Sequence, residues 1–400
     1  MRIVEPRSDI AVGVGQSTDP ETRAAARECL RTAIGDREPA AGDLFLVFVT
    51  MAYDVGLFFE VAAEEAGPAT MIGCSAYACS TTSAEDLVGC SAAFIPRGGL
   101  SIGVGVVDRL GADVAAATAT AVATARADAG PQRDHELAIL LADGLAGDLR
   151  EVMRGAFSAA GALVPIIGGA AADGLTQTGT YQYAGGRLMT NGVIAVWIGS
   201  DQPLGVGVEH GWRPTGNLMV VTRAVGNMVY ELDGRPALEA YLQTRAEAGE
   251  DQSSVWTSPT GSSFAEMVMD GPLGLPTASG LYDVRQVLGN TGDGALVMFG
   301  HVSENSVVQI MVSDADELLS AARRAASAAV ARLGRPSRGA LIFSCTARLA
   351  NLAERAVEET LAVAEGMGGA AACGFFTYGE FARTTGSSGF HNATIAVLAL

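Results

Sequence analysis

One order of apolar runs and alanine-rich stretches recurs three times along this 400-residue chain, and no other feature constrains its fold as strongly. The first copy opens with a strand candidate at 10–15, IAVGVG. An alanine-rich helix follows, with Asp19 as N-cap, Pro20 at its first position and Gly35 at its end. Residues 44–50 form a continuously apolar, buried strand. A helix over 56–65, a small-residue strand over 71–76 and a returning strand over 89–95 complete the unit. The second copy runs through 100–107, 113–128, 136–143, 149–160, 166–173 and 191–198. The third is assigned to 306–312, a helix over 314–333 capped by Asp314, 340–345, a helix over 349–365, and the C-terminal stretch 371–400. First strands begin near residues 10, 101 and 306 and buried strands near 43, 136 and 339, so the offset agrees within two residues in all three copies.

Units 10–95, 100–198 and 306–400 therefore each read β-α-β-α-β-β. The expected fold is α/β: layered mixed sheets with covering helices, built from three related units with an insertion before the third. At about 90 residues, each unit is large enough to form a subdomain. The insertion, 203–305, holds strand candidates, a helix over 236–245 and a Gly/Ser/Asp-rich stretch, 249–263, expected to be a mobile loop. The domain boundary is expected near 225–235, dividing the chain into 10–228 and 229–400.

Charge narrows the class of partner. Acidic residues outnumber basic ones 44 to 26, and the net charge of −18 repels nucleic acid and anionic membranes. The N-terminal stretch shows no apolar core of a signal peptide, and no apolar run reaches membrane-spanning length. A cytoplasmic protein is expected. The six cysteines form no C-x-x-C pair, so scattered thiols are expected rather than disulfides or a metal site.

Three G-V-G pieces, Gly13 to Gly15, Gly103 to Gly105 and Gly205 to Gly207, lie inside strand candidates and lack the third glycine of a dinucleotide fingerprint. Close packing of the strand backbone explains them better. The polar groups with chemical potential gather in the last unit. Cys345 and Arg348 end its buried strand, Gly379 and Glu380 follow the next, and His391 and Asn392 precede the last. Arg348 needs an acceptor once buried, and Glu380 is the first choice. Together, Arg348 taking a carboxylate and Glu380 an ammonium could hold a zwitterion such as an amino acid. Glycines 379, 386 and 389 would let backbone approach a ligand. The plain alternative is that Glu380 and His391 only pin two strand ends together. His210, at a strand-loop junction, and Asp173 and Asn191, in the corresponding places of the second unit, are secondary candidates.

At these residues the chain resembles the FIST family, the two-part sensory module (FIST N and FIST C) of signal transduction proteins. The residues that carry the resemblance are Ile72 to Ser75, Ile167 to Ala170 with Asp173, and His210 to Trp212. They continue with Val221 and Thr222, Tyr230 to Asp233 with Pro236 to Leu238, and Pro272 to Gly274 with Arg285. The last are Phe343 to Cys345 with Arg348, Tyr378 to Glu380, and Phe390 to Asn392 with Thr394. The resemblance spans about residues 10–400, and it departs after Val302, where Ser303, Glu304 and Asn305 replace an acidic-glycine step. It implies a ligand-sensing module for small molecules such as amino acids, with Tyr378 and Arg285 joining the candidate site. No output domain is expected on the chain, so a signal would pass to a separate protein such as a histidine kinase. Two other readings stay open. Some family members look like haem-dependent nitric oxide sensors acting on a histidine kinase. A hydrolase-type enzyme could use Cys345 or His391 with Glu380.

Overall fold

In the computed structural model, three mixed sheets share one strand order and one apolar centre. The first is built from β1 (Gly13–Ser17), α1 (Thr22–Ile34), β2 (Leu44–Thr50), α2 (Val55–Ala66), β3 (Thr70–Ala76), β4 (Cys79–Thr81) and β5 (Cys90–Ile95). The second uses β6 (Ser101–Val107), α3 (Val114–Asp128), β7 (His135–Ala142), α4 (Arg150–Ala160), β8 (Ile166–Ala170), β9 (Gln182–Ala184), β10 (Arg187–Met189) and β11 (Val193–Ser200). β12 (Gly205–Glu209) then leads into an inserted, eight-stranded sheet. That sheet comprises β13 (Arg213–Val225), β14 (Met228–Leu232), β15 (Arg235–Pro236), β16 (Leu273–Pro276), β17 (Tyr282–Arg285), β18 (Val287–Asn290), β19 (Leu296–Met298) and β20 (Val307–Val312), with α5 (Ala237–Glu247) against it. The chain closes with α6 (Ala315–Leu333), β21 (Ala340–Cys345), α7 (Thr346–Leu352), α8 (Glu358–Gly366), β22 (Ala372–Thr377), β23 (Glu380–Arg383), β24 (Phe390–His391) and β25 (Ile395–Ala399). The structure describes residues 11–176, 178–249, 270–277, 282–384 and 389–400. The loop expected at 249–263 lies outside them beyond Gly249, as does Gly386.

The strand orders β1-β5-β2-β3, β6-β11-β7-β8 and β12-β25-β21-β22 are equivalent, each with one parallel pair, β2/β3, β7/β8 or β21/β22. The third order corrects one expectation. Residues 306–312 do form a strand, but β20 belongs to the inserted sheet, between β16 and β13. The first strand of the third sheet is β12, so the insertion lies inside the third unit, after its opening strand. The spacing misled because β20 is also an apolar strand at nearly the matching distance before β21. Two helix boundaries also differ. Glu21, not Asp19, caps α1, accepting from the Arg23 and Ala24 amides. The helix expected over 349–365 is two helices, broken at Ala353, which sits at φ 50°.

Each sheet would end on its inner parallel strand with an open edge, and each edge is covered by a neighbour. The β9–β10 hairpin of the second unit pairs β9 with β3 of the first. The β23–β24 hairpin of the third unit pairs β23 with β8 of the second. β4 of the first unit pairs with β22 of the third. The exchange closes into a ring, which removes three edges that could template wrong pairing.

The continuous apolar runs follow from burial on both faces. In β2, Leu44, Leu46 and Phe48 face the common centre while Phe45, Val47 and Val49 face the helices. In β7, Leu137, Ile139 and Leu141 face the centre and Ala138, Leu140 and Ala142 the helices. Phe48 of the first unit stacks on Phe375 of the third with ring centroids 4.4 Å apart.

The G-V-G strands explain the alanine-rich helices. A Cβ on Gly15, Gly105 or Gly207 would lie 2.0, 1.9 or 1.9 Å from the backbone oxygen of Cys29, Ala121 or Ala325. Helices α1, α3 and α6 thus rest on strand backbone, and only small residues fit on both surfaces. Gly207→Ala is expected to destabilise by about 1–3 kcal/mol through forced separation of α6 from β12. Urea denaturation measures it, and a midpoint equal to wild type would show that the contact is looser than described.

Candidate functional site

The strand ends of the second and third units face the inserted sheet across a cleft with two lobes. The larger lobe, about 330 Å³, is lined by the turn after β7 (Gly144, Gly147, Asp148), by Asn227, and by Phe299, His301 and Phe390, among others. The smaller, about 190 Å³, is lined by Cys345, Thr346, Ala347, Tyr378 and Asn392 from the last unit and by Gln286 and Val287 from the inserted sheet, with Leu175. Leu145, Leu288 and Phe299 border both lobes. Cys345, Tyr378 and Asn392 are thus the predicted residues that the fold brings to a cavity wall.

The other candidates sit behind that wall or away from it. Glu380 and His391 are cross-strand partners on the β23–β24 hairpin, as a returning chain requires. Glu380 is fully buried and turns toward the third sheet, where its carboxylate accepts from Thr377 Oγ1 at 2.7 Å and the Thr394 amide at 3.2 Å. Burial pushes this carboxyl up to about 8, against the pull of those bonds, the Cys345 thiol and the Arg348 charge. The His391 ring bonds through Nε2 to the Ala382 carbonyl at 2.8 Å, and burial lowers its pKa. Gly379 does not open backbone to a ligand. The space where its Cβ would be is filled by the rings of Phe390, 2.6 Å away, and Phe299. Gly389 likewise makes room for Met153 and Arg383.

Arg348 corrects a second expectation. Its guanidinium pairs with Glu359 of α8, not with Glu380: Nε and Nη2 lie 2.8 and 2.7 Å from Oε1. Nη1 donates to the His210 carbonyl and Nη2 to that of Leu318, at 2.7 and 2.9 Å. Both side chains of the pair are essentially unexposed. A cation so occupied is a clamp between α6, α7, α8 and β12's exit, not a free hand for a ligand carboxylate. The sequence hid this because Glu359 follows Arg348 by a helix break, whereas Glu380 looked nearer on the strand-end pattern.

Two of the family motifs, His210 to Trp212 and Asn392 with Thr394, meet where the exit of β12 packs against the start of β25. His210 Nδ1 accepts from the Trp212 amide at 2.9 Å, and the Trp212 indole donates to the Ala393 carbonyl at 2.7 Å. Thr394 Oγ1 donates to the Asn392 carbonyl at 2.8 Å. Burial, then the Arg348 charge, depresses His210 to about 4, so it is a neutral hydrogen-bonding imidazole. Asp173 is buried and accepts from the Tyr378 hydroxyl, Thr176 and the amides of Thr178 and Gly179. Burial alone would raise its pKa, but these bonds hold it below the usual carboxylate range. Asp173 therefore fixes the Tyr378 ring at the cavity wall. Asn191 is exposed and lines a separate shallow cleft with Asp108 and Arg187. Arg285 is buried, donates to the Val284 carbonyl, and lies 3.9 Å from Asp283.

Cys345 is poorly set to act as a nucleophile. Burial and the adjacent Glu380 carboxyl push its thiol pKa up, outweighing the amides of Ala347 and Ala393. Sequence reading missed His301, Phe299 and the Gly144–Asp148 turn, because these come from parts of the chain with no counterpart motif nearby. Asp148 pairs with Arg150 at 2.6 Å beside the larger lobe.

Arg348→Ala is expected to cost about 3–5 kcal/mol, since it strands the buried Glu359 charge; calorimetric unfolding reads it, and a loss under about 1 kcal/mol would contradict the clamp. The pH profile provides a second check. Glu380 is raised in the folded state, so its stabilisation is present below about 4.5 and is lost as pH rises toward about 8. His210 is lowered, so its contribution is lost as pH falls from about 6.5 toward 4. The two oppose each other below 6.5 and leave a net fall in stability between about pH 6.5 and 8. Glu380→Gln should flatten that fall in denaturant titrations, and an unchanged slope would discount the buried carboxyl.

Among the described residues, no helix is long and apolar enough to cross a membrane. Residues 43–235 match the FIST N domain and 237–383 the FIST C domain. The chain is 26% identical over 233 residues to uncharacterized protein Rv0628c of Mycobacterium tuberculosis H37Rv, covering 58% of this chain and 60% of that one. It is 27% identical over 233 residues to uncharacterized protein Mb0898c of Mycobacterium bovis, covering 58% and 59%. A shorter stretch of 84 residues is 36% identical to uncharacterized protein MJ1623 of Methanocaldococcus jannaschii, covering 21% of this chain and 16% of that one. The chain thus spans about three-fifths of the length of the mycobacterial proteins it matches. With both domain matches running in order across most of its length, this chain belongs to the FIST family of sensory domains.

Proposed function

We propose that the protein binds a small ligand in the two-lobed cleft and passes the state of that site to a separate signalling protein, acting in the cytoplasm. The observation that carries this reading is the position of the cleft. It lies at the carboxyl ends of β7 and β21, where α/β folds present their loops to ligands. Its walls come from the second unit, the third unit and the inserted sheet together, so a ligand there would change how firmly the inserted sheet is held. The family's sensory role supports the same reading, and a histidine kinase is the kind of partner it suggests.

A small polar metabolite suits the mixture of hydroxyl, amide and apolar groups on the walls. The amino-acid version of this reading loses the clamp expected of it, because Arg348 is fully engaged with Glu359.

The test is a thermal-shift screen of a metabolite panel against wild type and Leu145→Trp. Leu145 borders both lobes and is 39% exposed, so a tryptophan there crowds the cleft without disturbing the core. A true ligand at 100 times its Kd adds about 2.7 kcal/mol to wild-type stability. That shift should shrink strongly in Leu145→Trp, whose unliganded melting temperature should stay near wild type. A panel in which every shift is equal in the two proteins would overturn the site.

A further inference from the structure

The smaller lobe carries information about the chemistry of its occupant. Asn392 is 1% exposed and lies on the lobe's wall. Its Nδ2 donates to the His391 carbonyl at 3.1 Å, which fixes the orientation of the amide. Its Oδ1 is buried and has no hydrogen-bond partner among the described residues. A buried acceptor left unmade is costly, and native proteins rarely keep one without a use. The remaining wall is apolar (Leu145, Leu175, Val287, Leu288, Phe299) or uncharged and polar (Cys345, Thr346, Tyr378, Gln286). No charged side chain lines this lobe among the described residues. Charged groups behind this wall have other duties: Arg348 is held by Glu359, Asp173 by Tyr378 and its own loop, and Glu380, which touches Cys345, by Thr377 and the Thr394 amide.

Resting on the ligand-binding reading above, we propose that the smaller lobe takes an uncharged molecule that donates a hydroxyl or amide hydrogen to Asn392 Oδ1 and packs an apolar body against Leu145, Val287 and Phe299. An ionised carboxylate or ammonium entering this lobe would lose its water and gain no counter-charge, which disfavours anions and zwitterions there. A neutral donor gives up one water contact and satisfies a group that is otherwise orphaned, so the gain is directional. The volume of about 190 Å³ holds roughly six waters at about 30 Å³ each, enough for a compact ring or a short branched chain. Discrimination against an analogue lacking the donor is then a property of the site, because that analogue leaves Oδ1 unpaired.

Two matched probe sets test this: phenol, anisole and benzoate, and cyclohexanol, methoxycyclohexane and cyclohexanecarboxylate. Each is titrated by NMR into wild type, Asn392→Leu, Asn392→Ala and Leu145→Trp. The expected result is that the hydroxyl member of at least one set binds wild type tenfold or more tighter than its ether and its carboxylate. Both Asn392 variants should erase that preference, and Asn392→Leu should melt no lower than wild type, because an orphaned buried acceptor has been removed. Two variants are used so that a folding defect in one does not decide the matter. An ether or carboxylate that binds as well as the hydroxyl overturns the proposal while leaving the ligand site standing. So does a preference that survives both Asn392 variants. If no probe binds, or binding ignores Leu145→Trp, the ligand-site reading fails with it.

Discussion

The ring of exchanged edge strands is the constraint from which the rest of the structure follows. Each sheet builds outward from a parallel pair, and its inner strand, β3, β8 or β22, would otherwise face solvent or an unsatisfied gap. Backbone groups buried without partners are expensive, so the polar excursion of one unit is drawn onto the edge of another. This places Glu380 and His391 on the second unit's sheet while Cys345 stays on the third. The seam between them is where the cleft opens. Its chemistry therefore belongs to no one unit, and the inserted sheet supplies the remaining wall through Gln286, Val287 and Phe299.

Buried electrostatics then divide the polar residues into those that hold the seam and those that face the cavity. The Arg348–Glu359 pair, with the carbonyls of His210 and Leu318, ties three helices and the exit of β12 together. Breaking one partner leaves a naked charge, so such a pair resists loss even where its net contribution is small. Glu380 has no such cation in contact among the described residues. It is held by hydroxyl and amide donors and carries a raised pKa, which makes it a pH-sensitive strut rather than a permanent anion. With these groups turned inward, the smaller lobe is lined among the described residues only by neutral side chains.

How far this was legible depends on the element. The apolar runs of β2, β7 and β21 were plain, because burial on both faces leaves a continuous run with no competing pattern. The opening strand of the third unit was not, although Gly205 to Gly207 repeat the G-V-G of β1 and β6. That triplet marks where a helix backbone rests on a strand, a contact invisible to spacing alone, and the long insertion moved β12 away from its helix. In the site, Cys345 and Asn392 were recognisable as polar groups at strand ends, and Tyr378 through the family resemblance. His301 and Phe299 were not, since an inserted sheet brings them from outside the repeated pattern.

Composition and periodicity by themselves point to mixed sheets under alanine-rich helices, and the order of short motifs carries the resemblance to the FIST family that the two domain matches show. These depend on local, additive preferences: burial of apolar faces, capping and small-residue contacts. Tertiary structure alone decided that β12 opens the third unit, that Arg348 belongs to Glu359, that Gly379 yields to Phe390, and that Asn392 lines a cavity while its buried Oδ1 has no partner among the described residues. Those outcomes turn on which of several chemically equivalent partners comes within about 3 Å. Sheet register and helix packing over long sequence separations choose that partner, and residue type does not.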